Sequence, residues 1–374
     1  MPAQGPADCN ARLTTGDAPL PGTRDAGRGR RDHDGGPQTM MRFELENEEG
    51  LRLRGLAYGA TLTSLTLPVA GERREVLLGC ADEAYLTQQV WLGAVAGRFA
   101  NRIGGARLER EGQCWTLDAN QGANCLHGGR DGFHRRTWQI KEQEADRVKL
   151  ALLSRAGDQG FPGNLRVSLE YRLEQCDLVV DFCASTDAPS PVSLTSHAYF
   201  NLDGGGDIRH HTISLDADRY LPTDDQSLPL AIAPVEGPFD LRAPRPIGQA
   251  WLDHPQQQLA KGYDHAFLLN NSDFEPVDEP FGGSNQPWAA RVISGDGKLT
   301  MAVYTNQPSL QFYSGNWLTG TPDRQGRPYR DYDGFCLEAQ QLPDSPNRPA
   351  LGDPWLLPGQ RYRHQTRYRF IPAP

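Results

Sequence analysis

A carboxylate and an imidazole positioned on one substrate can act as its base and its acid. The chain offers such a pair. Glu338 opens the run Glu338-Ala339-Gln340-Gln341-Leu342-Pro343-Asp344-Ser345-Pro346-Asn347, and His197 sits in Thr195-Ser196-His197-Ala198-Tyr199-Phe200-Asn201-Leu202, a polar residue in an aromatic, turn-rich frame. Both are candidates for proton transfer if the fold brings them together.

Four more clusters carry usable chemistry. In Gly97-Arg98-Phe99-Ala100-Asn101-Arg102-Ile103 the arginines supply forked donors and Asn101 supplies both a donor and an acceptor, which suits vicinal hydroxyls. Taken alone, such arginines more commonly pair with structural carboxylates. Asn124-Cys125-Leu126-His127-Gly128-Gly129 sets an imidazole beside backbone able to approach a ligand closely, and equally describes a turn with a hydrogen-bonded His. His134, among the charges of Gly132-Phe133-His134-Arg135-Arg136, reads as solvated. Asp264, in Gly262-Tyr263-Asp264-His265-Ala266-Phe267-Leu268-Leu269, could accept from two hydroxyls or cap a turn. The run from Val303 to Trp317, with Gln307 and Gln311 among Tyr304, Phe312 and Tyr313, mixes rings and amides as a sugar site does, and as a sandwich core also does.

The elements that must position these groups are strands. Leu51-Arg52-Leu53-Arg54-Gly55-Leu56 and Val167-Ser168-Leu169-Glu170-Tyr171-Arg172-Leu173 alternate apolar with polar, the mark of half-buried strands. Leu178-Val179-Val180-Asp181-Phe182 and His211-Thr212-Ile213-Ser214-Leu215 continue the series between Gly, Asp, Asn and Pro turn signals. No segment sustains a 3.6-residue period between helix caps. The pattern predicts an all-β chain of packed antiparallel sheets, a large β-sandwich. Asn270 to Pro287 is polar and Gly/Pro-rich and reads as a surface loop. Residues 1–40 are dense in Gly, Pro, Arg and Asp, hold no aromatic residue and have only Leu13 and Leu20 as large branched apolar groups, so they read as a disordered extension. Met40 or Met41 is an alternative start, and residues 41–374 form the one expected domain.

Composition narrows the partners. A net charge of -9 argues against nucleic acid, and no 18-residue apolar run exists to span a membrane. Phosphate-binding glycine motifs, a Gly-x-Ser-x-Gly elbow and metal-type His or Cys spacings are missing, so no cofactor and no metal are expected. The seven scattered cysteines suggest a reduced, cytoplasmic protein. A neutral small molecule is the expected partner.

Read in order, together with the turn Gly160-Phe161-Pro162-Gly163-Asn164, these clusters resemble the aldose 1-epimerase family, the galactose mutarotases, over roughly residues 41–372. The resemblance implies a β-supersandwich with a sugar cleft and interconversion of the α and β anomers of free aldoses such as galactose and glucose. It makes Glu338 the general base at the C1 hydroxyl, His197 the general acid at the ring oxygen and His127 a second imidazole near that oxygen. Asn101, Arg102, Asp264 and Gln307 would orient the sugar hydroxyls, in a monomer or weak dimer. Ser196 and Ala339 depart from the family's usual residues, which bears on sugar preference. Two alternatives stay open: a hexose-6-phosphate 1-epimerase using Arg98 and Arg102 for the phosphate, and a non-catalytic sugar-binding sandwich. A glycosidase would need a second carboxylate, for which only Asp264 offers itself beside Glu338.

Overall fold

The computed structural model describes residues 40–270 and 288–373. The proposed extension, apart from Met40, and nearly all of the 270–287 loop lie outside these residues.

Where apolar and polar residues alternate, the backbone is extended and one face is buried. Leu165–Glu174 pairs antiparallel with Asp177–Thr186 along its whole length, from Leu165↔Thr186 to Glu174↔Asp177. Leu165, Val167, Leu169, Tyr171 and Leu173 all point into the main core. These two strands belong to a nine-stranded sheet ordered Gln139–Gln143, Arg147–Ser154, Leu165–Glu174, Asp177–Thr186, Tyr362–Pro372, Leu299–Thr305, Ala290–Ile293, Thr212–Leu215 and Arg245–Pro246. A four-stranded N-terminal sheet runs Arg42–Glu46, Arg52–Leu56, Thr61–Val69, Glu72–Glu75. A five-stranded sheet runs Ala233–Pro234, Arg219–Tyr220, Asp264–Leu268, Ser309–Tyr313, Cys336–Gln340.

All three sheets contribute to one core. Leu53 and Leu65 from the first sheet, Leu169 and Phe370 from the largest, and Phe312 and Leu337 from the five-stranded sheet belong to the same buried cluster. Sheets that share an apolar interior in this way form a sandwich, with polar residues alternating outward. The one α-helix among the described residues is the short Pro255–Ala260.

Arg98 is buried, and it does not pair with a carboxylate as isolated arginines commonly do. Its Nη1 donates to the carbonyls of Pro162 (2.7 Å) and Gly163 (2.9 Å) and to Ser190 Oγ (3.2 Å). Its Nη2 donates to Ser154 Oγ (2.7 Å) and to the carbonyls of Ser154 (3.1 Å) and Arg155 (3.0 Å). The guanidinium thus clasps the Gly160–Asn164 turn, and burial lowers its pKa to about 10. Among the described residues, Cys80, Cys114, Cys125, Cys176 and Cys336 are free thiols.

Candidate active site

The strand Cys336–Gln340 has two chemically distinct faces. Leu337 and Ala339 enter the main core, so the alternation turns Cys336, Glu338 and Gln340 to the other side. Register extends that face across the sheet: Glu338 lies opposite Gln311, Gln311 opposite Ala266, and Tyr313 opposite Asp264. The apolar residues between them fix which side chains face outward, because a one-residue slip would send Glu338 into the core.

His197 follows the short strand Thr195–Ser196, which pairs with Val95–Ala96. Its N–H donates to the Ala94 carbonyl (2.8 Å), and its own carbonyl accepts from the Gly93 N–H (3.0 Å). His127 follows Cys125–Leu126, which pairs with Arg102–Ile103. The turn there is left-handed, with φ +51° at His127 and +84° at Gly128. A Cβ on Gly128 would lie 2.1 Å from the Gly97 carbonyl oxygen, so only glycine fits. His127 and Asn101 are joined twice: the His127 N–H donates to the Asn101 carbonyl (3.1 Å), and the Asn101 N–H donates to His127 Nδ1 (3.1 Å).

These three elements converge. Nitrogens of His127 and His197 and an oxygen of Glu338 all lie within 4.8 Å of one another, and all three residues are buried. His197 Nε2 is 3.7 Å from Glu338 Oε1, and its Nδ1 is 3.5 Å from Cys336 Sγ. Burial, reinforced by the negative charge of Asp264 and opposed by Arg102, pushes the Glu338 carboxyl well above the usual carboxylate range. Burial pulls His197 down to about 4. It also holds His127 well below an ordinary imidazole, with His197, Arg102 and His134 adding repulsion. A dry site of this kind favours the neutral pair, acid plus imidazole, over carboxylate plus imidazolium, although both hold the same single proton.

Two imidazoles and a carboxylate this close could also bind a cation. The His127 tautomer argues against it. Its Nδ1 accepts the Asn101 N–H, so the neutral ring carries its hydrogen on Nε2 and keeps no lone pair free for a metal.

Asn101, Arg102, Thr223, Asp264, Ala266 and Gln311, among others, line a small cleft, and Glu338, His197 and His127 lie outside that lining. Arg102 Nε donates to Gln121 Oε1 (2.7 Å), and its backbone N–H donates to Asn101 Oδ1 (2.9 Å). Asp264 Oδ1 accepts from Gln311 Nε2 (2.7 Å). Gln307 is buried but is not part of that lining; it donates to Asn306 Oδ1 (3.1 Å) and accepts from Gln341 Nε2 (3.3 Å).

His134 is not solvated. It is buried, its pKa is lowered to about 3 mainly by desolvation, and its ring lies 5.6 Å from that of Trp91. Trp91 went unnoticed in the sequence. It has φ +51°, its ring lies 4.9 Å from His127 and stacks 6.3 Å from His197, and no short motif flags it. Tyr199 and Tyr313 complete the aromatic wall around His197, at 5.0 and 6.3 Å. Of the two departures from the family's usual residues, Ala339 faces the core and Ser196 is buried, its hydroxyl lacking a partner among the described residues.

The sequence model of the family described as Aldose 1-epimerase matches residues 41–369. The chain is 44% identical over 346 residues to a protein named aldose 1-epimerase from Escherichia coli K12, with 90% of this chain and 96% of that protein covered. It is 37% identical to the galactose mutarotase of Rattus norvegicus, with 90% and 96% covered. Among solved structures, galactose 1-epimerase from Lactobacillus acidophilus superposes with a TM-score of 0.78 at 30% identity, covering 93% of this chain and 98% of that one. An aldose epimerase homologue from C. elegans superposes at 0.81 and 25% identity, covering 90% and 100%.

Proposed function

The chain belongs to the aldose 1-epimerase family and interconverts the α and β anomers of aldoses, and we propose that Glu338 and His197 carry out the proton transfers. In the forward step the Glu338 carboxylate takes the proton of the C1 hydroxyl while the His197 imidazolium gives one to the ring oxygen. The C1–O5 bond breaks, leaving an open-chain aldehyde. Rotation about C1–C2 turns the other face of the carbonyl toward the C5 hydroxyl. Reclosure returns one proton from Glu338 to O1 and one from O5 to His197, so the pair is regenerated with the opposite anomer.

The observation that carries this reading is the convergence of the three buried groups within 4.8 Å. The step draws on the ionised arrangement of the pair, the minor one in a buried site, and once the ring has opened Glu338 holds the proton and His197 has lost it, which is the neutral arrangement that burial favours. His127, with its hydrogen on Nε2, is a donor suited to the ring oxygen, while Asn101, Arg102, Asp264 and Gln307 orient the hydroxyls, Gln307 being held by Gln341. Positioned proton transfer contributes about 10²–10⁴-fold.

The phosphorylated-sugar alternative loses its basic cluster, since Arg98 is spent on backbone carbonyls and Arg102 on Gln121 and Asn101. A cytoplasmic monomer or weak dimer acting on a free sugar belongs to the same proposal, testable by fractionation and sedimentation.

Polarimetry on freshly dissolved α-D-galactose and α-D-glucose tests the reading. Wild type should speed the decay to the anomeric equilibrium, and Glu338→Gln should lose about 10²–10⁴-fold of that rate with the fold intact. A variant as fast as wild type would remove Glu338 from the mechanism, and a folded wild type inactive on both sugars would overturn the substrate.

A further inference from the structure

The two ring nitrogens of His197 face different neighbours. Nε2 lies 3.7 Å from Glu338 Oε1, so it is the nitrogen that faces the base. The pair can pass between its neutral and ionised arrangements only if Nε2 of the neutral ring carries a lone pair. The hydrogen of that neutral ring then sits on Nδ1. It stays there through a turnover, because the proton exchanged with the ring oxygen enters and leaves at Nε2.

A hydrogen on Nδ1 of a buried ring needs an acceptor. The side chain that meets it is Cys336, whose Sγ is 3.5 Å away, and the backbone of His197 itself also favours the protonated ring. Cys336 stands two residues before Glu338 on one face of the strand Cys336–Gln340, so a single strand supplies the neighbour of each ring nitrogen. Trp91 and Tyr199 lie against the imidazole at interplanar angles of 25° and 34°. Such neighbours restrain the plane of the ring but not which edge leads, since a half-turn about Cβ–Cγ keeps the plane and puts carbon where each nitrogen was. A sulfur acceptor at one edge decides between the two. Burial, with the charges of Glu338 and Asp264, holds the thiol well above its ordinary pKa, so the acceptor is uncharged. A carboxylate in its place would stabilise the imidazolium and weaken it as an acid.

We propose that Cys336 is a positioning residue for the reaction: its sulfur accepts the Nδ1 hydrogen of His197 and so keeps Nε2 turned to the base and the ring oxygen. The inference rests on the anomer-interconversion reading above.

The test joins ¹⁵N NMR of histidine-labelled protein at neutral pH, with His197→Asn identifying the signals, to polarimetric kcat and KM on galactose. Wild-type His197 should show the Nδ1–H tautomer. Cys336→Ala should shift it toward a mixture and lower kcat roughly fivefold to tenfold, the worth of one ordinary hydrogen bond, with KM nearly unchanged. Cys336→Ser, which restores an acceptor, should recover most of both. An Nε2–H tautomer in wild type, an unaltered kcat in Cys336→Ala, or a Cys336→Ser as slow as Cys336→Ala would each overturn the proposal. If circular dichroism shows Cys336→Ala unfolded, Cys336→Val removes the acceptor while filling the space. Wild type inactive on galactose would instead defeat the underlying function, and the NMR comparison would still decide the tautomer.

Discussion

Glu338 and His197 share one proton, and the burial that shifts them in opposite directions sets the pH range in which they work. His197 accepts a second proton only near its lowered pKa of about 4, where the pair no longer contains a base. The pair loses its acid only above the raised pKa of Glu338. Polarimetric kcat/KM should therefore stay level from neutral pH down to about 5 and fall below about 4, measured in assays short enough for the chain to stay folded. An acid limb centred near 6.5 would mean that His197 titrates as an ordinary exposed imidazole, against the geometry. Glu338, His197 and His127 were nameable from sequence because each sits in a distinctive run. His134 was misread because Arg135 and Arg136 beside it suggested solvent, whereas its ring packs against Trp91, a contact between residues far apart in the chain. Gln311 could not be separated from its aromatic neighbours until register put it beside Glu338.

Strands were the most legible elements, since alternation in Leu165–Glu174 and Arg52–Leu56 follows directly from one face meeting the core. The turns were less so. His-Gly-Gly looked like any turn, yet its glycine is demanded by a backbone approach that sequence cannot display. Gly128→Ala should force the loop away from Gly97 and displace His127, since the φ of +84° alone penalises a side chain by about 1–2 kcal/mol. Urea denaturation should show that loss or more, and kcat/KM should fall at least about tenfold, one order for each 1.4 kcal/mol of misplacement. Unchanged stability and rate would show that the loop yields freely. Arg98 illustrates a second limit: its residue type announced a charge, but only the fold reveals that six backbone and hydroxyl oxygens surround it.

Taken together, the buried imidazoles make the whole molecule acid-sensitive. His134, His197, His211, His265 and His364 are lowered to about 3 or 4, and His127 is held well below its ordinary value, all chiefly by desolvation. The unfolded chain binds protons at these residues below about pH 6.5 and the folded chain refuses them, so stability is full above that pH and lost as pH falls. Glu338, Asp181, Asp333 and Asp344 run the other way, keeping protons that the unfolded chain releases above about 4, but they are four groups against six imidazoles. Urea midpoints should thus drop steadily from pH 6.5 to 4.5, with net proton uptake on unfolding; a flat profile would refute the burial of these rings. The all-β class was readable at this scale because turn signals recur throughout. The two-faced strand Cys336–Gln340 carries one more implication, for evolvability. Its even-numbered residues share the face of Glu338 and its odd-numbered residues meet the core, so a lineage or a library can vary the surroundings of the base at 336 and 340 while 337 and 339 keep the chain foldable, and a single-residue deletion in that strand would exchange the two roles at once.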